Sequence, residues 1–243
     1  MERFLEYLSE VDPQWIAEFR GADPVRIALL ESLVGLPFPR SYRSFLELMG
    51  KDNAGLNVTV DGLTDVDSLI DFYTGFQEGR EGVAWLYAPE VIVIGIESRF
   101  VHELGLRCSG GGEPPVVEPG RLSVQEDYAE SLEKLLCQLV FPGRAPRTNQ
   151  PNVSCLMPHG RRRTEYLLPH ARAIASELGL VAFDFSDAST VCGEIAGASV
   201  RMGQRLRDGI GLQVGITAPR KDLCAEIGSV FVRKLGMEMS SSP

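Results

Sequence analysis

The spacing of apolar residues predicts two consecutive helices near the start of the chain. The sequence VRIALLESLV at 25–34 repeats apolar residues at the interval of one helical face. Asp23 followed by Pro24 is a typical helix start, and Gly35 is a typical helix stop. The segment RSYRSFLELMG at 40–50 has the same periodicity and ends in a glycine that we expect to act as a C-cap.

Later patterns in the first half predict strands with helices between them. Alternating or continuous apolar runs of strand length occur at 55–63, 91–98, 102–112 and 114–120. Residues 65–79 read as an acidic amphipathic helix, and residues 124–141 as one closing helix. Helices followed by strands with interspersed helices are typical of an α+β fold.

A Pro-rich segment, FPGRAPRTNQPN at 141–152, has the composition of a linker. The charge balance changes at the same place. We therefore predict two domains, residues 1–143 and residues 152–239, joined by a linker at 144–151.

The second domain has a short and regular series of predicted elements. They are a strand at 152–158, a helix at 164–179, a strand at 180–187, a hairpin of 198–203 with 209–217, and a helix at 221–236. Pro169 indicates that the first of these helices begins close to that residue. The series predicts a small α/β sandwich, for which a ferredoxin-like arrangement is one interpretation.

Charge and cysteine content narrow the function classes. Residues 1–144 hold 12 Lys and Arg against 24 Asp and Glu, a balance of −12, whereas residues 145–243 hold 12 against 9, a balance of +3. The acidic first half argues against nucleic acid as the partner and favours a basic protein. Five widely spaced cysteines without a CxxC pair indicate buried reduced thiols.

The first residues and the apolar runs together predict a cytoplasmic protein. The segment MERFLEYLSEVDPQW carries acidic residues where a secretory signal needs an uncharged apolar core. The longest apolar runs, such as VIVIGI, have the length of a strand and are far shorter than the roughly 20 residues that span a bilayer.

The stretch from residue 27 to residue 55 carries the most informative motif. It has a helix containing Leu-Glu, a Leu-Pro turn, Tyr-x-x-Phe-Leu, and a loop rich in Asn and Gly. These positions are Leu30-Glu31, Leu36-Pro37, Tyr42, Phe45-Leu46, Asn53 and Gly55. This order resembles the opening of the SUKH superfamily, also called the cell-wall-assembly-regulator family. VIVIGIES and EDYAESLEKLL resemble later parts of the family pattern, so the resemblance covers about residues 1–143.

The resemblance implies a protein-binding scaffold and no catalysis. Bacterial members of the family commonly act as immunity proteins that neutralise toxins, and fungal relatives serve as regulatory hubs. We interpret the motif residues as core-packing residues that position two helices against a sheet. The second domain resembles no family that we can name. Two alternative hypotheses remain. The second domain is an enzyme, or the protein is an accessory protein that homo-oligomerises through that domain.

Two charged segments are candidate binding sites. Carboxylates at Asp61, Asp65, Asp67 and Asp71 form an acidic run that is either a solvated face or a surface for a basic toxin domain. Arg161, Arg162 and Arg163 lie between a predicted strand and a predicted helix, where guanidinium groups and backbone amides bind anions. The alternative to an anion site is that these three arginines lie in a basic loop exposed to solvent.

Catalytic, metal and cofactor motifs are not recognisable in the sequence. The three histidines do not occur in a metal-binding pattern, and no phosphate-binding or nucleophile motif lies at a strand-to-helix junction. Cys155 and His159 are close in sequence, but no third group is identifiable that would orient the imidazole. The glycines at 110–112 read as a hairpin loop. We therefore expect no enzyme activity, no metal and no cofactor.

Overall fold

The computed structural model describes residues 1–56, 58, 62–78, 89–97, 103–118, 126–141, 151–157, 166–205 and 211–241. The chain is an α+β protein with two antiparallel sheets. It divides into two compact units, unit 1 (residues 1–139) and unit 2 (residues 140–243). Residues 142–150 lie outside the described residues, so the linker at 144–151 stays a prediction.

The apolar pattern predicted only some of the helices of unit 1. The helices among its described residues are α1 (Glu2–Val11), α2 (Pro13–Ile16), α3 (Pro24–Val34), α4 (Arg40–Met49), α5 (Val66–Glu78) and α6 (Leu132–Val140). Helices α1 and α2 were not predicted. Helix α1 forms because Phe4 and Leu8, one turn apart, are fully buried along one side of it.

The predicted ends of α3 and α4 are confirmed. The Asp23 carboxylate accepts a hydrogen bond from the Val25 N–H at 2.7 Å, and Gly35 ends α3 in the left-handed conformation with φ 74°. Gly50 is the C-cap of α4, although its backbone is right-handed. The predicted core residues of α4 are buried, whereas Leu36, which we expected to be buried, is only half-buried.

In the described part of unit 1, five antiparallel strands form a sheet in sequential order. They are β1 (Gly62–Leu63), β2 (Val91–Glu97), β3 (Glu103–Arg107), β4 (Val116–Glu118) and β5 (Glu126–Ala129). The predicted strand at 55–63 is therefore limited to Gly62–Leu63 among the described residues. The segment 108–115, which contains the glycine run, joins the antiparallel neighbours β3 and β4 as predicted.

The prediction of one closing helix at 124–141 is wrong. Glu126–Ala129 instead pairs with β4, with Ala129 opposite Val116. The chain then turns, and the Ser131 hydroxyl accepts a hydrogen bond from the Lys134 N–H at 3.2 Å, which caps the start of α6. Acidic and leucine-rich residues favour a helix, but pairing with β4 outweighs that propensity.

The described residues of unit 2 form a six-stranded antiparallel sheet and two helices. Its elements are β6 (Asn152–Leu156), α7 (Leu168–Glu177), β7 (Val181–Ala182), β8 (Thr190–Ile195), β9 (Ala198–Arg205), β10 (Gly211–Thr217), α8 (Lys221–Leu235) and β11 (Glu238–Ser241). The strand order is β11-β6-β10-β9-β8-β7. Helix α7 packs on β9, α8 packs on β6 and β10, and the helices contact each other, so both cover one face of the sheet.

The sequence pattern described unit 2 only partly. The hairpin is confirmed as β9 and β10, and α7 begins at Leu168 with Pro169 in its first turn, as expected. The predicted strand at 180–187 is wrong beyond β7. The Asp187 carboxylate accepts hydrogen bonds from the N–H groups of Ser189 and Thr190 and folds the chain into a turn. Strands β8 and β11 were not predicted.

Candidate functional site

The residues of the predicted acidic run differ in their surroundings. Asp65 is half-buried, and its carboxylate accepts a hydrogen bond from the Ser68 N–H at 2.9 Å. Asp65 immediately precedes the first residue of α5, so it is the N-cap of that helix. Its role in the described structure is therefore local. Asp61 lies outside the described residues.

Two of the predicted carboxylates do face solvent. Asp67 and Asp71 are both exposed and are four residues apart, so they share one face of α5. The Asp67 carboxylate also binds a side chain of α3, because Arg26 Nε donates to it at 2.7 Å. This ion pair is exposed on both sides, so it adds little to stability. It does fix the Asp67 carboxylate beside α3.

The acidic residue of the Leu-Glu motif serves the fold. Glu31 Oε1 accepts a hydrogen bond from the Phe38 N–H at 2.7 Å, and Arg43 Nη2 donates to both carboxylate oxygens at 2.6 Å. Glu31 thus joins α3 to the Leu-Pro turn and to α4. The hydrogen bond from Phe38, followed by the one from Arg43, lowers the pKa of Glu31 below its usual value.

The asparagine of the motif has an equally local role. Asn53 Nδ2 donates to the Leu56 carbonyl at 2.8 Å and to the Thr64 hydroxyl at 3.1 Å. The same loop receives the indole of Trp15, whose Nε1 donates to the Ala54 carbonyl at 3.1 Å. These bonds close the loop after α4 onto neighbouring segments. The polar motif residues therefore hold unit 1 together, as the core-packing interpretation expects.

One surface of α3 was missed in the sequence. Val25, Ala28, Leu29 and Ser32 are all exposed, and their spacing of three and four residues places them on one side of the helix. We call these four residues the outer face of α3. The opposite side buries Ile27 and Leu30. The available signal was that Val25, Ala28 and Leu29 are apolar although they lie opposite the predicted apolar face, which indicates a second apolar side.

The start of α7, which follows the predicted anion site in the chain, has two backbone N–H groups bonded within the fold. Gln204, a buried residue of β9, accepts hydrogen bonds at its Oε1 from the N–H groups of Leu167 at 2.6 Å and Leu168 at 2.9 Å. The next residue, Pro169, has no N–H to offer. The first amides of α7 are thus used within the fold. Arg161, Arg162 and Arg163 lie outside the described residues, so their role stays a prediction.

The cysteines behave as core residues. All five are free thiols, and only Cys108 is not fully buried. Burial raises the pKa of Cys155 to about 11 and that of Cys192 to about 12, so both thiols are protonated at neutral pH and are poor nucleophiles. His159, the proposed neighbour of Cys155, lies outside the described residues.

Metal ligands are not grouped in the part of the chain that the structure describes. There, no three His, Cys, Asp or Glu side chains are placed to hold one ion. His170 is exposed on α7, and His102 is among the residues that are not described.

Comparison of the sequence with known proteins does not assign the chain to a family. No protein-family model matches the chain, and no curated protein matches it either. Among the described helices, none is both long enough and apolar enough to cross a membrane.

Proposed function

We propose that this protein is a non-catalytic binding protein of the immunity type, which binds and neutralises a toxin in the bacterial cytoplasm. In this proposal residues 1–143 form a SUKH-like domain that makes the principal contact with the toxin. The observation that carries the proposal is the use of the motif's polar side chains. Glu31 and Asn53 are both engaged in bonds that close the fold.

Engaged polar groups favour binding by the surface over chemistry in a site. A catalytic carboxylate needs access to substrate and a pKa near the working pH. The Glu31 carboxylate has the opposite properties, because two hydrogen-bonding partners occupy it and its pKa is lowered. Function in unit 1 then rests on the shape and charge of its exposed faces.

The charge of unit 1 indicates the chemistry of the partner. Residues 1–139 contain 11 Lys and Arg against 24 Asp and Glu, a balance of −13. A charge of this size accelerates association with a basic protein by long-range steering. A toxin domain that acts on nucleic acid is basic where it contacts phosphate. Such a domain fits the electrostatics of unit 1 better than an acidic or neutral partner does.

For unit 2 we propose a ferredoxin-like sandwich that forms a second domain. Strands β6, β9, β10 and β11 alternate with α7 and α8 in the order strand, helix, strand, strand, helix, strand. Within the sheet these strands lie in the order β11-β6-β10-β9, and β8 and β7 extend it beyond β9. This arrangement supports the interpretation of residues 152–239 as an independent sandwich.

Co-expression with the product of the adjacent gene tests the proposed function. The adjacent gene is induced in a bacterial host, alone and together with this chain. We expect its product to stop growth when alone, and this chain to restore growth and to co-purify with it. A toxic product that this chain neither binds nor counteracts would contradict the proposal. A product that this chain modifies chemically would favour the enzyme hypothesis.

A further inference from the structure

The outer face of α3 is an exposed helix side without a charged residue. Val25 is 75% exposed and Leu29 is 41% exposed. Ala28 and Ser32 complete the face at helical spacing and are exposed as well. The solvent-facing side of a helix in a globular protein ordinarily carries charged or polar residues. Here three of the four positions are apolar.

Both charged residues of α3 are directed towards neighbouring helices. Arg26 binds Asp67 of α5, and Glu31 binds Arg43 of α4. These two contacts tie α3 to the helices beside it and leave its outer face uncharged. The apolar side chains therefore remain exposed without a charged neighbour on the same helix side.

The charged groups on α3 and on the neighbouring part of α5 are more acidic than basic. Asp23 caps the start of α3 beside Val25, Asp67 contacts the Arg26 side chain, and Asp71 lies one turn further along α5. Together with the Glu31–Arg43 pair, these groups are four carboxylates and two guanidinium groups, a net charge of −2. The local charge thus has the same sign as the whole of unit 1.

We propose that the outer face of α3 is the docking site for an amphipathic segment whose apolar side chains are flanked by Lys and Arg. The apolar side chains of the segment cover Val25 and Leu29, and its cations face the carboxylates on α5. An apolar centre with a charged rim is the usual anatomy of a protein interface. This inference rests on the proposed function and specifies the surface and chemistry of that interaction.

A synthetic peptide provides the first test. The probe is a short fluorescent peptide of leucine and lysine with leucines at helical spacing, titrated against the full chain by fluorescence anisotropy. We expect the double variant Val25→Ser, Leu29→Gln to bind about tenfold or more weakly. Both substitutions leave the charge unchanged, so a loss reports the apolar contact. Val25 is largely exposed and Leu29 partly so, and the thermal unfolding midpoint should therefore fall by no more than about 4 °C.

Matched controls separate this surface from nonspecific adsorption. Val181 of β7 is 73% exposed, nearly the same as Val25, and Val181→Ser should leave peptide binding unchanged. A peptide with glutamate in place of lysine should not bind. Asp71→Asn should slow association about threefold at low ionic strength, and exposed Glu226→Gln on α8 should not.

The same variants distinguish this inference from the proposed function. If the wild-type chain binds the adjacent-gene product, the Val25→Ser, Leu29→Gln variant should bind it about tenfold more weakly. Equal binding by that variant would overturn the docking site and leave the proposed function standing. Failure of the wild type to bind the gene product would instead contradict the proposed function. In that case the peptide titration decides: equal affinity of the wild type and the double variant overturns the docking site.

Discussion

Replacing Glu31 by Gln should destabilise unit 1 by about 1–2 kcal/mol at neutral pH, and replacing it by Ala by about 2–4 kcal/mol. Hydrogen bonds to charged groups contribute about 1.5–3 kcal/mol each. Glu31 is 26% exposed and Arg43 is 41% exposed, so solvent weakens the ion pair. Gln retains an oxygen that accepts from the Phe38 N–H, whereas Ala leaves that group without its partner.

Urea unfolding followed by tryptophan fluorescence measures this effect in unit 1. Trp15 and Trp85 are the two tryptophans of the chain, and both belong to residues 1–139. The change in midpoint at constant slope gives the change in the free energy of unfolding. Glu47→Gln on α4 is the matched control, because it removes the same charge at an exposed position. We expect it to change stability by less than about 0.5 kcal/mol.

The pH dependence of the Glu31→Gln effect gives a sharper test. The folded-state pKa of Glu31 is lowered, so the stabilisation by its carboxylate is complete above the unfolded-state pKa of about 4.3. It is lost as pH falls through the lower folded-state pKa. The stability difference between wild type and Glu31→Gln should therefore be full at neutral pH and narrow in acid. A difference that is absent, or that stays constant into acid, would refute the assigned role of Glu31.

Four further predictions concern packing and domain structure. Phe45 is 2% exposed and stacks on Tyr42, so Phe45→Ala should cost about 3–5 kcal/mol, and an unchanged denaturation midpoint would reject it. A Cβ at Gly21 would lie 1.9 Å from the Glu47 carbonyl oxygen, so Gly21→Ala should lower the melting temperature. A Cβ at Gly75 of α5 would meet no atom within 4 Å, so Gly75→Ala should raise stability by about 0.5–1 kcal/mol. Limited proteolysis should cut within 142–151 and release two resistant fragments, and resistance of that segment would argue against a linker.

Elements with their own local signals were predictable from the sequence. Asp23 and Gly35 set the ends of α3 by side-chain capping and by a left-handed glycine, and both signals are visible in the residue types. The hairpin of β9 and β10 follows from two apolar runs on either side of a turn. In each case the residues that decide the structure lie within the element itself.

Elements that depend on distant partners were not predictable in the same way. Residues 126–129 have helical composition, and only pairing with β4 makes them a strand. Asp65 and Asp67 are the same residue type two positions apart, but one caps α5 and the other reaches Arg26 of α3. The helical spacing of Ile27 and Leu30 indicated the buried side of α3, whereas the exposure of Val25 and Leu29 on the other side depends on where α4 and α5 pack.

The most direct measurement is the association rate of the full chain with the adjacent-gene product over a range of ionic strengths, followed by surface plasmon resonance. We expect a stable complex whose association rate constant falls as salt increases, because the charge of unit 1 steers a basic partner. The dissociation rate should change little with salt, since the apolar contact sets it. No complex at any ionic strength, or an association rate indifferent to salt, would contradict the proposed function.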